Sequence, residues 1–587
     1  MSQPKKRFDY QLLARIVSLA KPYRVAFVLA AVFAVSLAPL ATLRPYLIQQ
    51  MVDEHIFKSD VPGMTTLATI ILGLLFVEVI VQYAFNYSTA WLGQSVVRDL
   101  RVRVFRHIVG LNLTYFDKTP IGSSTTRTIS DIETINSVFS EGIITIIADL
   151  LTLICVLGMM FYTDWRLTLV CMIVLPPLLV GSYIFKEKVK GSFQTVRTQV
   201  SRMNAFLQER ITGMRIVQIF NAEKTEATKF KEINRTYTRA NLDSILYYAV
   251  FFPFVEIISA ASLGLMVWWG AQEVVSSQVT LGVLVAFPVY INMLFRPIRM
   301  LADKFNTLQM GMVAAERVFD LIDDTQYVEK TGETAVAKFK GDLAFENVSF
   351  SYNDTDYVLR NVSFGLKAGQ TLAIVGSTGS GKTTIISILN RFYEIKEGII
   401  RVDGKNISDY RLDDLRRRIA VVLQDVFLFS GTVLDNITLR DERISRQSVI
   451  EAAKMIGAHE FIERLPGGYD YQVMERGATL SMGQRQLISF VRALISDPDI
   501  LILDEATSSI DPETEAVIQF AIEKLIARRT SIIIAHRLST IRHANRILVM
   551  SQGEVKEFGS HDELLQNPEG HYRQLYQMQF DMSAGVV

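Results

Sequence analysis

The chain has 587 residues, of which 49% are hydrophobic and 21% charged, with a formal net charge of +1. This length exceeds one ordinary domain, and the mean hydropathy of +0.24 is typical of a membrane domain joined to a soluble one. The net charge does not indicate a partner, but the sequence has no basic field large enough to suggest nucleic acid, and membrane topology better explains its lysine and arginine clusters, so we expect no nucleic-acid partner. The two cysteines, Cys155 and Cys171, both lie in apolar runs, which excludes a disulfide framework and a thiolate metal site.

The first predicted element is an amphipathic helix over residues 8–23, with Leu12, Ile16 and Leu19 at helical spacing beside several basic residues. This pattern is typical of a helix that lies on the membrane surface. The alternative is a helix that packs on its own domain. The first residues of the sequence lack the small-residue cleavage site of a secretory signal, so we expect the first apolar run to be retained.

Six apolar segments follow, and each is long enough to cross a hydrocarbon core that needs ~20 helical residues. They cover residues 25–48, 65–85, 143–162, 167–185, 247–267 and 275–295. Arginines and lysines cluster between segments two and three and between segments four and five, while the opposite loops hold few. The positive-inside rule therefore predicts a multi-pass protein of the cytoplasmic (inner) membrane with both termini in the cytoplasm.

The two long cytoplasmic stretches also read as helical, and each has a break that could form a contact tip. The first tip is F-D-K-T-P-I-G, residues 116–122, and the second is I-T-G-M-R-I-V-Q-I-F, residues 211–220. Ordinary loop structure is the alternative for both.

Ionisable residues at membrane depth are costly and usually face a cavity or a partner helix. The candidates are Arg44, Glu78, Asp149 and Glu256. Each could act in function or form a structural pair. The aromatic group from Tyr247 to Phe254 could line a pocket for an apolar substrate, or pack against other helices.

The sequence becomes polar between Asp303 and Glu333, which indicates a domain boundary. We therefore predict an all-α transmembrane domain over residues 1–320 and a nucleotide-binding domain over residues 341–587. In the second part, short β-rich runs alternate with helical stretches, the pattern of an α/β fold.

A phosphate-binding loop lies within L-A-I-V-G-S-T-G-S-G-K-T-T, residues 372–384. A buried strand runs into a glycine-rich turn and then into a helix, so backbone N–H groups and the helix N-terminus converge on one place. In such a loop the lysine reaches the β and γ phosphates, and the next hydroxyl binds Mg²⁺. The candidate ATP-binding residues are Gly376, Ser377, Thr378, Gly379, Ser380, Gly381, Lys382, Thr383 and Thr384.

Two further apolar strands end in residues that suit phosphate chemistry. The run I-L-I-L ends in Asp504 and Glu505, and S-I-I-I-A ends in His536. Asp504 is a candidate Mg²⁺ ligand together with Thr383, and Glu505 is the candidate for polarising the attacking water. His536 could contact the γ-phosphate or that water.

The segment L-S-M-G-Q-R-Q-L, residues 480–487, opens a helical stretch between the phosphate loop and the acidic strand. With this segment, the chain resembles an ATP-binding cassette (ABC) exporter in which one membrane domain is fused to one nucleotide-binding domain. The resemblance implies that Ser481, Gly483 and Gln484 contact the γ-phosphate of ATP bound by the other subunit.

The resemblance also assigns roles to single residues. It implies that Tyr352 stacks on adenine, that Gln424 senses Mg²⁺ and couples to the membrane domain, and that Glu475 contacts cytoplasmic loops. Ser509 and Asp511 correspond to a segment that crosses the dimer interface. The chain departs from the family at Met482, where glycine is usual, and we interpret this as a tolerated variation.

A composite site needs a phosphate loop and a signature segment from two chains, so we expect a dimer. A homodimer is favoured, and a heterodimer with a related chain is the alternative. The resemblance implies ATP-driven, Mg²⁺-dependent export or flipping of a lipid, a lipid A precursor or a hydrophobic drug. The rival functions are an ATP-gated channel or regulatory subunit and, less favoured, an importer-type or soluble ATPase.

Overall fold

The computed structural model describes residues 9–276, 278–327, 332–353, 355–504, 512–527, 529–534 and 541–584. The chain divides into two compact units. The first comprises Met1–Val109 with Ile121–Asp324, and the second comprises Gly110–Pro120 with Thr325–Val587. The short segment Gly110–Pro120, which contains most of the first cytoplasmic tip, therefore belongs to the second unit.

The first unit is helical. Its α-helices are Tyr10–Ser18, Arg24–Gln50, Val61–Gly110, Ile121–Thr126, Ile132–Ser137, Ile143–Thr163, Trp165–Met172, Leu175–Thr212, Met214–Ile219, Glu223–Val275 and Leu281–Ile322. Single π-helical turns, Met51–Ile56, Arg127–Asp131 and Val138–Gly142, continue three of these helices.

Five helical segments of the described chain are long and apolar enough to cross a membrane. They are Lys21–Ile56, Val61–Gly110, Ile121–Thr163, Trp165–Thr212 and Glu223–Val275. These segments contain the first five predicted spans. The sixth predicted span overlaps a shorter apolar stretch of the described residues, Leu281–Pro297, which is the first part of the longer helix Leu281–Ile322. The all-α membrane fold is confirmed, and the count of six spans stays a prediction.

The N-terminal helix packs on its own unit. Asp9 caps it by accepting hydrogen bonds from the backbone of Gln11 and Leu12. Ile16 is buried, and the Arg15 guanidinium forms two hydrogen bonds of 2.6 and 2.7 Å to the Asp323 carboxylate. These contacts agree with the alternative in which the helix packs on its own domain. A position of this helix on the membrane surface stays a prediction.

The described residues of the second unit form three sheets. Its strands are β1 Leu343–Ser351, β2 Tyr357–Leu366, β3 Thr371–Gly376, β4 Glu397–Val402, β5 Lys405–Asn406, β6 Ile419–Val422, β7 Gly431–Thr432, β8 Gln472–Val473, β9 Ile500–Asp504, β10 Thr530–Ile534, β11 Arg546–Ser551 and β12 Glu554–Gly559. The strand orders are β12-β11-β3-β10-β9-β6, β2-β1-β4-β5 and β7-β8. All pairings in the six-stranded sheet are parallel except that of β12 with β11.

Helices cover this mainly parallel sheet. The helices of the second unit are Leu113–Lys118, Lys382–Leu389, Leu412–Arg418, Val433–Thr438, Arg446–Met455, His459–Glu463, Met482–Ile495, Pro512–Ile526, His561–Leu565 and His571–Ala584. Side chains alternate between the two faces of the sheet, so Ile374 and Ile502 pack with the helix Lys382–Leu389. Val375 and Leu503 point to the opposite face and pack with the helix Met482–Ile495. Burial of both faces explains why these strands read as continuous apolar runs.

Candidate functional site

The phosphate loop joins β3 to the helix Lys382–Leu389, as the sequence predicts. Gly379 and Gly381 adopt left-handed backbone conformations, with φ of 81° and 98°, which L side chains rarely adopt. A Cβ on Gly381 would also lie 2.6 Å from Cδ2 of Leu359. A Cβ on Gly379 would meet no described atom within 4 Å. A side chain in place of Gly381 would therefore crowd Leu359, whereas Gly379 borders open space.

The polar groups of the loop suit an anionic ligand. The Lys382 ammonium donates hydrogen bonds of 2.8 and 3.0 Å to the carbonyl oxygens of Gly376 and Ser377. Burial lowers the pKa of Lys382, and the negative charge of Asp504 opposes this shift. The Ser380 hydroxyl is buried and has no hydrogen-bond partner among the described residues. The Ser380 hydroxyl can therefore donate a hydrogen bond to a ligand, and the Lys382 ammonium lies in the same loop. Both groups suit the oxygens of a bound phosphate chain.

The remaining loop hydroxyls differ in exposure. Ser377, Thr378 and Thr383 are exposed, whereas Thr384 is buried. The exposed Thr383 hydroxyl remains accessible to an ion at the helix N-terminus.

The sheet topology brings Asp504 to the same edge as the phosphate loop. Strand β10 lies between β3 and β9, and Ile534 pairs with Ile374 on one side and with Asp504 on the other. Asp504 is 6% exposed. The Asp504 carboxylate and the Thr383 hydroxyl are oxygen donors of the kind that Mg²⁺ prefers, with phosphates and water completing its shell. The residues present therefore fit a nucleotide with Mg²⁺.

Several predicted residues lie outside the described part of the chain. They are Glu505, Ser509, Asp511 and His536. Their neighbours Asp504 and Ile534 end adjacent strands, β9 and β10.

The predicted adenine-stacking residue, Tyr352, follows the end of β1. Its hydroxyl lies 3.2 Å from the Thr384 hydroxyl. Its ring makes edge-on contacts with Phe350 and Tyr393, at centroid distances of 4.9 and 5.1 Å. The aromatic residue and the phosphate-loop helix are therefore in direct contact.

The signature segment starts the helix Met482–Ile495. Ser481 is its N-cap: the Ser481 hydroxyl accepts a hydrogen bond of 3.2 Å from the Gln484 amide, and the Gln484 side chain accepts one of 3.0 Å from the Ser481 amide. Gly483 is buried in the first turn, and Met482 is half-buried. Ser-x-x-Gln is a capping-box sequence, so local helix chemistry alone explains part of this motif.

Gln424 follows the edge strand β6 and is exposed. With Met482, Arg476 and Gln486 it lines a cavity of about 310 Å³. Gln424 and the signature helix therefore share one surface. None of the hydrogen bonds of Ser481 or Gln484 within the described residues reaches the phosphate loop.

In the membrane unit, three of the four predicted ionisable candidates form pairs between helices. The Arg44 guanidinium lies 3.6 Å from the Glu78 carboxylate. The Lys304 ammonium donates to Asp149, a partner that sequence reasoning did not identify. Glu256 is exposed. Phe185 stacks on Phe251 at a centroid distance of 3.9 Å, so this part of the predicted aromatic group packs between helices.

Sequence reasoning also missed a contact of the first cytoplasmic tip. The Tyr393 hydroxyl donates a hydrogen bond of 2.6 Å to the Asp117 carboxylate, and both residues belong to the second unit. The motif F-D-K-T-P-I-G indicated a contact tip, but nothing in the sequence pattern pointed to Tyr393 as its partner.

A helical unit with several membrane-length apolar helices, joined to an α/β unit with a phosphate loop, defines an integral membrane protein that binds a nucleotide. Comparison with known proteins narrows this class. Residues 27–298 match the model of the ABC transporter transmembrane region, and residues 359–508 match the ABC transporter model. The chain belongs to the ABC transporter family, and it is an ATPase coupled to transport.

Three similar proteins illustrate the relationship. The chain is 38% identical to an uncharacterized ABC transporter ATP-binding protein, YknV, of Bacillus subtilis, over 96% of this chain and 93% of that protein. It is 36% identical to an ATP-dependent lipid A-core flippase of Desulfotalea psychrophila, over 97% and 99% of the two chains. It is 37% identical to a probable multidrug resistance ABC transporter ATP-binding/permease protein, YheH, of Bacillus subtilis, over 91% and 80%. The family resemblance predicted from sequence is confirmed.

Proposed function

We propose that this chain exports or flips a hydrophobic or amphipathic substrate, a lipid or a drug, across the cytoplasmic membrane by alternating access. Two composite ATP sites of a dimer would power the cycle. The observation that carries the proposal is that one chain has one phosphate loop and one capped signature helix. A site that needs both from opposite chains then requires two chains, and identical copies are the simplest pair.

The proposed roles follow from the chemistry at the sheet edge. Lys382 and the loop backbone would hold the phosphates of ATP, with Tyr352 against adenine. Thr383, Asp504 and Gln424 would hold Mg²⁺, which supplies charge neutralisation on the phosphates when it is bound. Glu505 would orient and polarise the attacking water, and His536 would contact the γ-phosphate. Ser481, Gly483 and Gln484 would face the γ-phosphate held by the other chain.

Exposed apolar surfaces support coupling within such a dimer. In the membrane unit, Ile216, Ile219 and Phe220 of the second cytoplasmic tip are 58–73% exposed. In the nucleotide-binding unit, Phe429 and Met474 are 59% and 64% exposed. Exposed apolar clusters of this kind mark interaction sites. We propose that the tip of one chain docks on the Phe429 and Met474 surface of the other.

The substrate class rests on the relatives and on the membrane unit. The relatives are named as lipid A-core flippases and a probable multidrug transporter. Phe252 and Leu246 in the helix Glu223–Val275 are exposed apolar side chains that suit an apolar ligand. The channel or regulatory-subunit alternative receives no support from these names. Both termini would lie in the cytoplasm.

The test is Mg²⁺-dependent ATPase activity of the chain purified alone in lipid nanodiscs. Glu505→Gln should remove most of the turnover and retain ATP binding, because the amide is a far weaker base. Glu523→Gln is the matched control, since it makes the same charge change at an exposed position of the helix Pro512–Ile526. Near-normal hydrolysis by Glu505→Gln would remove Glu505 from its proposed role.

Substrate is tested in the same nanodiscs by stimulation of the ATPase. Lipids and amphipathic drugs should stimulate it. Stimulation only by a peptide or a polar solute would overturn the proposed substrate class. ATP binding without any hydrolysis by the wild-type chain would instead indicate that a different partner subunit is needed.

A further inference from the structure

The segment Gly110–Pro120, which contains most of the first cytoplasmic tip, is held at two points within the second unit. At its start, Leu111 forms an antiparallel bridge with Tyr327, and the Asn112 amide donates a hydrogen bond of 2.9 Å to the Gln326 carbonyl. At its end, Asp117 accepts the hydrogen bond from Tyr393. The Asn112 side chain also caps the short helix Leu113–Lys118. The segment between the two points is therefore fixed in place.

Tyr393 also belongs to a cluster of three aromatic rings that includes the proposed adenine contact. Tyr393 lies 5.1 Å from Tyr352 and 5.8 Å from Phe350, and Phe350 lies 4.9 Å from Tyr352. Every ring contacts the other two; Phe350 is buried, whereas Tyr352 is 44% exposed on the side away from these contacts that a ligand could reach. A base stacked on Tyr352 would restrict this cluster further.

The Tyr393 hydroxyl stays protonated and so can keep donating its hydrogen bond to Asp117 of the tip. Burial raises the pKa of Tyr393, and the hydrogen bond to the Asp117 carboxylate raises it further. The phenol therefore keeps its proton throughout the physiological pH range. The ring and the hydroxyl of one side chain thus face two different elements, the aromatic cluster and the tip.

We propose that Tyr393 is a positioning residue that links the adenine side of the nucleotide site to the first cytoplasmic tip. Its ring holds Tyr352 in the stacking position. When the aromatic cluster shifts, the hydrogen bond from the Tyr393 hydroxyl shifts Asp117 with it. The segment that carries Asp117 joins the helix Val61–Gly110 to the helix Ile121–Thr126. The inference rests on the proposed role of Tyr352 at adenine.

Two substitutions separate the two parts of this side chain. Tyr393→Ala removes the ring, so the KM for ATP should rise about fivefold or more while kcat changes by less than twofold. Tyr393→Phe keeps the ring and removes the hydroxyl, so the KM for ATP should stay within twofold of wild type. Both values are measured by ATPase assay of the full chain in nanodiscs.

The link to the tip is measured by hydrogen exchange of the amides of residues 113–118, with and without a non-hydrolysable ATP analogue. In the wild type the analogue should change exchange in this segment at least twofold. Tyr393→Phe and Asp117→Ala should both abolish that change. Tyr410→Phe is the control, because it removes a buried hydroxyl that donates to the Val402 carbonyl elsewhere in the same unit, and it should leave both readouts unchanged.

An unchanged exchange response in Tyr393→Phe would overturn the link, and an unchanged KM in Tyr393→Ala would overturn the positioning of Tyr352. The exchange experiment needs nucleotide binding but no hydrolysis. Failure of the proposed transport function would therefore appear as an inactive wild-type chain, and failure of this inference would appear as an unresponsive tip in a chain that binds nucleotide.

Discussion

Substitution of Ser481 separates two roles that the signature serine has in this protein. Its hydroxyl caps the helix Met482–Ile495 by accepting a hydrogen bond from the Gln484 amide, and it is proposed to contact the phosphate bound by a second chain. Loss of an N-cap hydroxyl costs about 1 kcal/mol of helix stability. The reciprocal bond from the Ser481 amide to the Gln484 side chain survives in Ser481→Ala, so we expect no larger loss.

The second role predicts a larger effect on catalysis. A hydrogen bond to a charged group contributes roughly 1.5–3 kcal/mol. If Ser481 makes such a bond in the transition state, Ser481→Ala should lower kcat/KM for ATP by roughly 10- to 150-fold. Ser481→Thr keeps both the cap and the hydroxyl and should retain most of the activity.

Ser445 provides the matched control. It is an exposed N-cap of the helix Arg446–Met455, and it accepts a hydrogen bond of 3.1 Å from the Ser448 amide. Ser445→Ala should lower the local stability of its helix by a similar amount and leave the ATPase unchanged. Local stability is measured by native-state hydrogen exchange of each helix, since one melting temperature is poorly defined in a chain of several domains.

The refuting result is specific. If Ser481→Ala destabilises its helix by about 1 kcal/mol and hydrolyses ATP within twofold of wild type, then Ser481 is only a helix cap. The proposed composite site would then lose one of its three contacts with the phosphate held by the other chain.

Two further predictions concern the phosphate loop and the departure at Met482. Both Gly379→Ala and Gly381→Ala incur the cost of a left-handed alanine, about 1–2 kcal/mol, but only Gly381→Ala also brings a Cβ to 2.6 Å from Leu359. Hydrogen exchange should therefore show greater destabilisation of the helix Lys382–Leu389 in Gly381→Ala, and equal destabilisation would contradict the packing argument. Met482→Gly restores the residue usual in the family at the first position of its helix; kcat should change by less than threefold, and a tenfold gain would show that Met482 impairs the site.

Much of the fold and of the site can be predicted from the sequence because the signals are local. The run from Leu372 to Thr384 specifies a strand, a turn and a helix within 13 residues, and the structure has each of them. The segment L-S-M-G-Q-R-Q-L, residues 480–487, likewise predicts the start of the signature helix, and the structure begins that helix at Met482. The order of the apolar helices also follows from hydropathy: five of the predicted spans lie in membrane-length helices of the described chain, and the sixth stays a prediction.

Contacts between distant residues could not be predicted in this way. Sequence reasoning named Arg44, Glu78 and Asp149 at membrane depth, but it could not pair Arg44 with Glu78 or find Lys304 as the partner of Asp149. It identified the first cytoplasmic tip, but not its contact with Tyr393, which lies 276 positions further along the chain.

The sequence by itself determined the class of protein and the chemistry of its parts: the apolar helices, the phosphate loop, the acidic strand end and the signature segment at the start of a helix. These features depend on residues within a few positions of one another, where backbone geometry and hydrogen bonding act directly. Only the tertiary structure decided that β10 places Asp504 and the phosphate loop at one edge, and that Tyr393 connects Tyr352 to Asp117. Those arrangements depend on strand order and on packing between elements far apart in the chain, which no local pattern encodes.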